Sequence, residues 1–195
     1  MTKVSTVRTL LVALHLVALV SVSAGVAQAQ TFISPLLGYD YGDDAGCPAI
    51  ADCEEKSLNL GIGIGRMGNV FGGEVEIAYA DGFFGETPDL TSSLLTVMGN
   101  VMIVPNLGPL RPYGTIGLGL MRPRVELDAG SIFAAENQFG WNYGGGLILF
   151  FGDHVGVRGD IRRFRSLQEL PVVDLPLGDE KITFGRASGA IVLKF

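Results

Sequence analysis

Residues 31–195 alternate between apolar side chains and polar or small ones in repeated short segments. In 58–65 every second residue is leucine or isoleucine, and the residues between them are asparagine or glycine. Consecutive side chains of a strand point to opposite faces, so this alternation predicts a β-strand with one apolar face. Eight segments of this kind follow one another: 31–41, 58–65, 73–79, 95–103, 115–120, 141–151, 157–162 and 186–195.

The connections between these segments alternate in length. The long ones are 42–57, 80–92, 123–138 and 166–181, and the short ones are 66–69, 105–110 and 152–154. Transmembrane barrels have short periplasmic turns, longer external loops and strands of about ten residues. The pattern therefore predicts an all-β fold, an eight-stranded antiparallel up-and-down transmembrane β-barrel with both chain ends on the short-turn side.

The two faces of the predicted strands differ in a way that orients the barrel. One face is bulky, apolar and almost free of charge, whereas the other carries glycines, asparagines and a few charged residues. Glycines and ion pairs can fill a narrow lumen but would make a poorly hydrated soluble surface, so we assign the apolar face to lipid. In lipid every backbone polar group must be paired within the protein, which requires the sheet to close.

Residues 1–29 have the organisation of a secretory signal peptide. Lys3 and Arg8 form a basic start, 10–20 is apolar apart from His15, and 27–29 is a small-x-small cleavage motif. The apolar stretch is shorter than the ~20 residues of a spanning helix, which argues against a membrane anchor. We therefore expect an exported protein whose barrel domain is 30–195.

The composition excludes several other classes of protein. The 195 residues include 28 glycines, about twice the usual share, and a glycine inside a helix costs about 1 kcal/mol, which excludes a helical bundle. Hydrophobic residues make up 48% and charged ones 17%, which is too apolar for a disordered chain. Cleavage would remove two basic residues and no acid, so the net charge would fall from −6 to −8, which disfavours a nucleic acid partner.

The aromatic residues provide an independent test of this topology, because barrels carry aromatic girdles at both membrane interfaces. Those near the predicted short turns are Phe32, Phe71, Tyr113, Phe151 and Phe195. Those near the predicted long connections are Tyr39, Tyr79, Trp141, Phe164 and Phe184. The alternation points Tyr113, Phe164 and Phe184 into the lumen, so the girdles are incomplete.

Four short motifs follow one another along the chain: 112–119 (PYGTIGLG), 142–146 (NYGGG), 157–162 (VRGDIR) and the terminal 193–195 (LKF). In this order they resemble the small outer-membrane β-barrel domain family, the OmpA- and OmpX-like eight-stranded barrels. The resemblance covers 31–195 and implies a location in the bacterial outer membrane, among outer-membrane lipid and lipopolysaccharide. It also implies that Ile191, Leu193 and Phe195 form a C-terminal signal for the barrel assembly machinery.

The resemblance does not fix an activity, because the family includes structural proteins, adhesins, narrow pores and lipid A-modifying enzymes. His154 is the only histidine beyond the signal peptide, and it falls in a predicted periplasmic turn. A lipid A deacylase or acyltransferase would need a histidine near the outer leaflet, and a serine nucleophile needs a base. We therefore expect no catalytic activity and no cofactor.

Charged residues on the predicted lumen face are the candidate functional site. They are Glu74, Glu76, Arg158, Asp160, Arg162 and Arg186. Eight strands leave room only for side chains inside, and buried charges must be paired. One interpretation is a neutralised plug whose ion pairs cross the lumen, with Glu76 and Arg158 in one network. The others are a pore lining or ion-pair gate and, least favoured, the paired carboxylates of a hydrolase.

The long connections carry the remaining polar features. Cys47 and Cys53 lie in the first one, and an even pair in an exported protein predicts a disulfide, whereas a metal site would need more ligands. Most of the 20 acids, from Asp40 to Glu180, lie in or beside these connections. They form either a solvated loop surface or a place where Ca²⁺ or Mg²⁺ bridges lipopolysaccharide phosphates.

The sequence as a whole favours an integral outer-membrane barrel with a structural or surface-interaction role and no catalytic activity. The alternative is a narrow porin-like channel for small solutes or ions. A lipid A-modifying enzyme is less favoured than either. The first two differ in whether the lumen is filled, which the structure can address.

Overall fold

The computed structural model describes residues 29–42, 45, 56–83, 90–127, 131–134, 137–167 and 181–195. The first 28 residues of the expected signal peptide, both cysteines and most of the acids of the long connections lie outside these ranges. The strands are β1 Gln30–Tyr41, β2 Lys56–Met67, β3 Phe71–Asp81, β4 Leu90–Ile103, β5 Leu110–Leu127, β6 Ser131–Ala134, β7 Gln138–Phe151, β8 Val155–Ser166 and β9 Thr183–Lys194. Helices long and apolar enough to cross a membrane are absent from the described ranges.

Eight of the nine strands form a closed antiparallel barrel. Their order around it is β4-β3-β2-β1-β9-β8-β7-β5, and the ring closes where β5 pairs with β4. The first and last strands of the chain are neighbours, with Phe32 opposite Lys194 and Tyr41 opposite Gly185. Closure removes the exposed strand edges, and the predicted eight-stranded barrel is confirmed.

The fifth strand is longer than the sequence indicated. We expected a long connection over 123–138, but β5 continues to Leu127 and pairs there with the short β6. A proline within a strand cannot donate a ladder hydrogen bond. The alternation nevertheless continues beyond it, and Pro123 lies opposite Leu94 in β4. The β5–β6 hairpin extends the barrel wall at the long-connection end.

The two faces of the barrel wall are those expected from the alternation. Bulky aliphatic and aromatic side chains point outward, and Leu60, Ile116 and Leu118 are each more than half exposed. Polar and small residues point into the lumen, where Asn59, Thr96 and Asn142 are fully buried. The outward face is the apolar surface that lipid requires.

Apolar side chains close the lumen at both ends. The long-loop cluster, near the long connections, consists of Ala45, Ala80, Phe83, Leu94, Met98, Met121, Phe164, Ile182 and Phe184. The short-turn cluster, near the short turns, consists of Phe32, Met67, Met102, Val104, Tyr113, Ile148, Phe150 and Val192. The inward direction expected for Tyr113, Phe164 and Phe184 is correct. Phe32 also points inward. The alternation did not indicate this, because 31–41 has apolar residues on both faces.

Candidate functional site

A layer of charged side chains lies between the two apolar clusters and is here called the ionic layer. Its members are Asp40, Glu74, Glu76, Arg158, Asp160, Arg162 and Arg186, each of them buried. The structure brings together all six residues expected on the lumen face and adds Asp40. Neutral polar groups from the other strands complete the layer: Asn59 of β2, Thr96 and Asn100 of β4, Tyr113 of β5 and Asn142 of β7.

Glu74 of β3 joins the two sides of the lumen. Its carboxylate accepts two hydrogen bonds from Arg158, at 2.6 and 3.1 Å, and a third from Arg162 at 2.7 Å. Both arginines belong to β8, four strands away around the ring and therefore on the opposite wall. Asp160, which lies between them on β8, accepts hydrogen bonds from Arg158 at 3.1 Å and from Arg162 at 2.9 Å. The acids and arginines thus form a bridge across the lumen.

Arg186 anchors the other half of the layer. It donates two hydrogen bonds to Asp40, at 2.7 and 2.8 Å, and one to the Thr96 hydroxyl at 3.1 Å. Asp40 and Arg186 are opposite each other on the neighbouring strands β1 and β9. Asn59 donates a further hydrogen bond to Asp40 at 2.8 Å. This half of the layer is held by charge-assisted bonds between adjacent strands.

Glu76 links the two halves. Arg162 and Arg186 are directly opposite each other on β8 and β9, a like-charge arrangement that is unfavourable by itself. The Glu76 carboxylate lies 3.2 Å from Arg162 and 3.5 Å from Arg186. Glu76 therefore contacts these two arginines, whereas Arg158 is paired with Glu74. Glu76 and Arg158 both lie in the layer, but they are not direct partners.

Aromatic rings join the ionic layer to the two clusters. The Tyr113 hydroxyl accepts a hydrogen bond from Arg158 at 2.6 Å and donates one to Asp160. The Arg158 guanidinium also lies 4.8 Å from the centre of the Tyr113 ring. At the opposite border Arg186 lies 4.8 Å from the Phe164 ring, which stacks on Phe184. Arg158 and Arg186 therefore make cation–π contacts in addition to their ion pairs.

A family model described as "Outer membrane protein beta-barrel domain" matches residues 12–195. The chain belongs to this family. Its location is accordingly the bacterial outer membrane. The curated proteins include no significant match.

Solved outer-membrane proteins share the fold at low sequence identity. The Neisserial surface protein A (NspA) is 15% identical with a TM-score of 0.65, over 85% of this chain and 97% of that one. OprH of Pseudomonas aeruginosa is 15% identical with a TM-score of 0.54, over 86% and 100%. Ail of Yersinia pestis, solved with the heparin analogue sucrose octasulfate, is 14% identical with a TM-score of 0.53, over 86% and 99%. At these identities the likeness concerns the fold alone.

Glycines give the ionic layer of this family member its space. A Cβ atom at Gly144 would lie 2.9 Å from Arg162 Cγ and 2.2 Å from a backbone oxygen, and one at Gly146 would lie 2.8 Å from the Tyr113 hydroxyl. A Cβ at Gly63 would lie 3.2 Å from Glu74 Oε2. The glycine-rich segments of β2 and β7 therefore let long charged side chains lie flat against the barrel wall. This accounts for glycine at these three positions.

Sequence reasoning missed Asp40 and the full part played by Tyr113. Asp40 was assigned to the acidic loop surface, but it is fully buried in the lumen. Its position is in phase with Phe32, Ser34 and Leu36, the lumen-facing residues of β1, so parity could have found it. Tyr113 was expected to point inward, but its hydroxyl contacts with Arg158 and Asp160 depend on strand stagger.

Other expected site residues lie apart from the ionic layer. His154 is exposed in the short turn between β7 and β8. Ile191, Leu193 and Phe195 point outward at the end of β9, and Phe195 is 71% exposed. Cys47 and Cys53 are outside the described residues. The roles expected for these residues therefore remain predictions.

Proposed function

We propose that this protein is a non-conducting, non-enzymatic outer-membrane barrel that supports the membrane and presents its long connections for surface interactions. The observation that supports this most strongly is the layered filling of the lumen. Seven buried charged residues occupy its middle, and apolar clusters cover them on both sides. An eight-stranded barrel has little interior volume beyond its own side chains.

Opening a water path through this lumen would require breaking the ionic layer. Glu74 alone accepts three hydrogen bonds from two arginines that are themselves buried. Leaving one member of a buried ion pair without its partner typically costs about 3–5 kcal/mol. A thermally accessible open state would have to disrupt several such contacts together. The arrangement therefore supports a permanent plug.

One observation favours the alternative of a narrow channel. Asn59 Oδ1, Asn100 Nδ2 and Asn142 Oδ1 are buried and make no hydrogen bond within the described part of the chain. Buried polar atoms of this kind are commonly satisfied by ordered water. A thread of water along β2, β4 and β7 would be the starting point of an ion path past the ionic layer.

Conductance of the refolded barrel in a planar lipid bilayer separates the two functions. We expect no stable channel of nanosiemens size from the wild-type protein. Steady conductance that changes in the Glu74→Gln variant would mean that ions pass the ionic layer, and would overturn the plug. The same preparation should migrate differently on SDS gels before and after boiling, which verifies that the barrel is folded before the recording.

Catalysis is addressed by a separate measurement. His154, the only histidine beyond residue 15, is exposed at the short-turn end, which faces the periplasm in this family's topology. We expect mass spectra of lipid A from cells that express the protein to match those from cells without it. A change in acyl chain number that depends on expression would identify a lipid A-modifying enzyme instead.

Export, loop closure and assembly complete the proposal. We expect cleavage after residue 29, a Cys47–Cys53 disulfide in the first long connection, and recognition of Ile191, Leu193 and Phe195 by the barrel assembly machinery. Intact mass spectrometry with and without reduction and alkylation tests the first two. Deleting Phe195 should lower the assembled amount in cells more than it lowers refolding in detergent.

A further inference from the structure

A polar pocket opens at the short-turn end of the lumen and is here called the short-turn pocket. It has a volume of about 350 Å³. Its polar lining residues are Gln30, Asn69, Asn106, Arg111, Asp153 and Lys194. Met67 of the short-turn cluster also lines it, so this cluster lies between the pocket and the ionic layer. The short turns of these barrels face the periplasm, so a ligand of this pocket would enter from there.

Two cations of this pocket have no carboxylate partner among the described residues. Lys194 is only 8% exposed, yet its ammonium group makes neither an ion pair nor a hydrogen bond there. The Nε atom of Arg111 is buried and also lacks a hydrogen-bond partner in the described part of the chain. The one acid that lines the pocket is Asp153, which is exposed on the turn between β7 and β8 and pairs with neither cation. Buried charges normally have partners, so the pocket offers positive charge to a ligand.

The ring of Phe150 contacts both cations without neutralising them. The Arg111 guanidinium lies 5.1 Å from the ring centre, and the Lys194 ammonium lies 4.6 Å from it. Phe150 is on β7, and the strands of the two cations, β5 and β9, lie on opposite sides of β7 around the ring of strands. A cation–π contact stabilises a cation but accepts none of its N–H hydrogen bonds in the plane of a carboxylate. Two separate sets of donors are therefore available to acidic groups.

Backbone hydrogen bonds hold the rim of the pocket. The Asn106 amide donates to the Asn69 carbonyl at 3.2 Å, which joins the turn between β4 and β5 to the turn between β2 and β3. The Lys194 amide donates to the His154 carbonyl at 2.7 Å, which joins the end of β9 to the turn between β7 and β8. A rim that is already ordered lowers the entropy cost of binding a ligand.

The lining indicates the chemistry of the ligand. Guanidinium and ammonium groups both form charge-assisted hydrogen bonds with carboxylates. Because the two cations come from different strands, they suit a ligand with two separate acidic groups. The amides of Gln30, Asn69 and Asn106 can hydrogen-bond to carboxylate oxygens without adding charge. A short aliphatic dicarboxylate matches the pocket in charge, in the separation of its acidic groups and in size.

We propose that the short-turn pocket binds a short aliphatic dicarboxylate from the periplasm, with one carboxylate on Arg111 and the other on Lys194. The side-chain amides of Asn69 and Asn106 complete the hydrogen bonds of the ligand. The site lies on the periplasmic side of the short-turn cluster, so binding does not require passage through the lumen. Failure of the non-conducting function would therefore leave this proposal unaffected.

The test titrates glutarate into the barrel refolded in neutral detergent at low ionic strength. The side-chain amide signals of Asn69 and Asn106 in NMR spectra report on the pocket, and we expect them to shift saturably in the wild-type protein. Lys194→Gln and Arg111→Gln should each bind at least about tenfold more weakly, since each loses one charge-assisted hydrogen-bond site. The matched control Arg66→Gln should stay within about twofold, because Arg66 is exposed on the outward face at the same end, where solvent and salt screen its charge.

Asp153→Asn provides a change of opposite sign. It removes the acid that lines the pocket and repels a dianion, so we expect it to bind glutarate more tightly than the wild type. Weaker binding in Asp153→Asn would overturn the proposal, because it would mean that the pocket uses its acid to hold a cationic ligand.

Changing the ligand keeps the test decisive even if a variant refolds poorly. Wild-type protein should bind pentanoate, which has the same chain length and one carboxylate, at least about tenfold more weakly than glutarate. Pentane-1,5-diamine should leave the amide signals unchanged, and inorganic phosphate should bind more weakly than glutarate. Equal affinity for glutarate and pentanoate, or for glutarate and phosphate, would overturn the proposal. So would an equal loss of affinity in Arg66→Gln and Lys194→Gln.

Discussion

The ionic layer and the outward face at the long-connection end both carry arginines, but their surroundings differ. In the ionic layer Arg158, Arg162 and Arg186 are buried among four acids, and each makes an ion pair within 3.2 Å. On the outward face Arg122, Arg124 and Arg165 are exposed, and Arg163 is half-buried. The same side chain therefore occupies two different environments. Inside the barrel it is held by carboxylates that water reaches poorly, whereas an exposed guanidinium stays accessible to water.

The difference in burial predicts a difference in free energy of unfolding. Water can replace a lost partner on the outward face, but it reaches the ionic layer poorly, so unpaired charge there is costly. Substitutions in the two regions should therefore differ in how much they lower the free energy of unfolding. The substitutions below test this difference and are ordered from the largest expected effect to the smallest.

Glu74→Ala should have the largest effect. It removes one of the two carboxylates that Arg158 and Arg162 share, Asp160 being the other, and we expect a loss of about 3–5 kcal/mol in the free energy of unfolding. Urea titration of the barrel in liposomes measures it. The matched control is Ile62→Ala, which shortens a lipid-facing side chain that is 39% exposed and should cost much less. A similar loss in both variants would mean that the lumen is hydrated.

A double-mutant cycle sharpens the assignment of partners. Arg158→Ala should lower the free energy of unfolding less in the Glu74→Ala variant than in the wild type, because Glu74 and Arg158 share two hydrogen bonds. We expect a coupling of about 1–3 kcal/mol. The cycle of Glu76→Ala with Arg158→Ala should show a clearly smaller coupling, because Glu76 contacts Arg162 and Arg186. Equal coupling energies in the two cycles would show that coupling within the layer does not depend on direct contact.

These pairings mark the limit of what the sequence could supply. Alternation in β3 and β8 was sufficient to place Glu74, Glu76 and Arg158 on the lumen face. These residues alternate with apolar ones, Val75 and Ile77 in β3 and Val157 in β8. The height of each side chain along the lumen depends on the stagger between strands, which alternation does not encode. Which acid meets which arginine therefore had to come from the structure.

Asp40 shows a second limit. Strand β1 has apolar residues on both faces, with Ile33 and Leu37 outward and Leu36 inward, so its face assignment was weak. Its place near a long connection made an exposed acid the simpler interpretation. The pairing with Arg186 arises only when the chain closes and β1 meets β9. Long-range closure is thus the information that local pattern lacks.

Gly144→Ala should destabilise the ionic layer by adding volume rather than by removing charge. The new methyl group would approach Arg162 and a backbone oxygen closely, and overpacking of this kind typically costs about 1–3 kcal/mol. Gly159→Ala on the adjacent strand is the matched control, because a Cβ there would meet nothing within 4 Å. Thermal unfolding in detergent compares the two variants. If Gly159→Ala lowered the unfolding temperature as much as Gly144→Ala, the effect would come from the backbone and not from crowding in the lumen.

Tyr113→Phe should cost about 1–2 kcal/mol, since it removes one neutral hydroxyl and keeps the ring over Arg158. The hydroxyl serves both Arg158 and Asp160, and their remaining ion pairs limit the loss. Urea titration in liposomes again measures the change. An unchanged midpoint would indicate that a water molecule takes the place of the hydroxyl, which would favour the hydrated lumen of a narrow channel.

Arg122→Gln should have the smallest effect on stability and completes the comparison. Arg122 is exposed and lies beside Tyr79 and Leu95 on the outward face, so its loss should change the free energy of unfolding by no more than about 0.5 kcal/mol. Urea titration in liposomes, on the preparation used for Glu74→Ala, measures the change. A large loss of stability in Arg122→Gln would mean that this outward arginine, like the ionic layer, holds the barrel together.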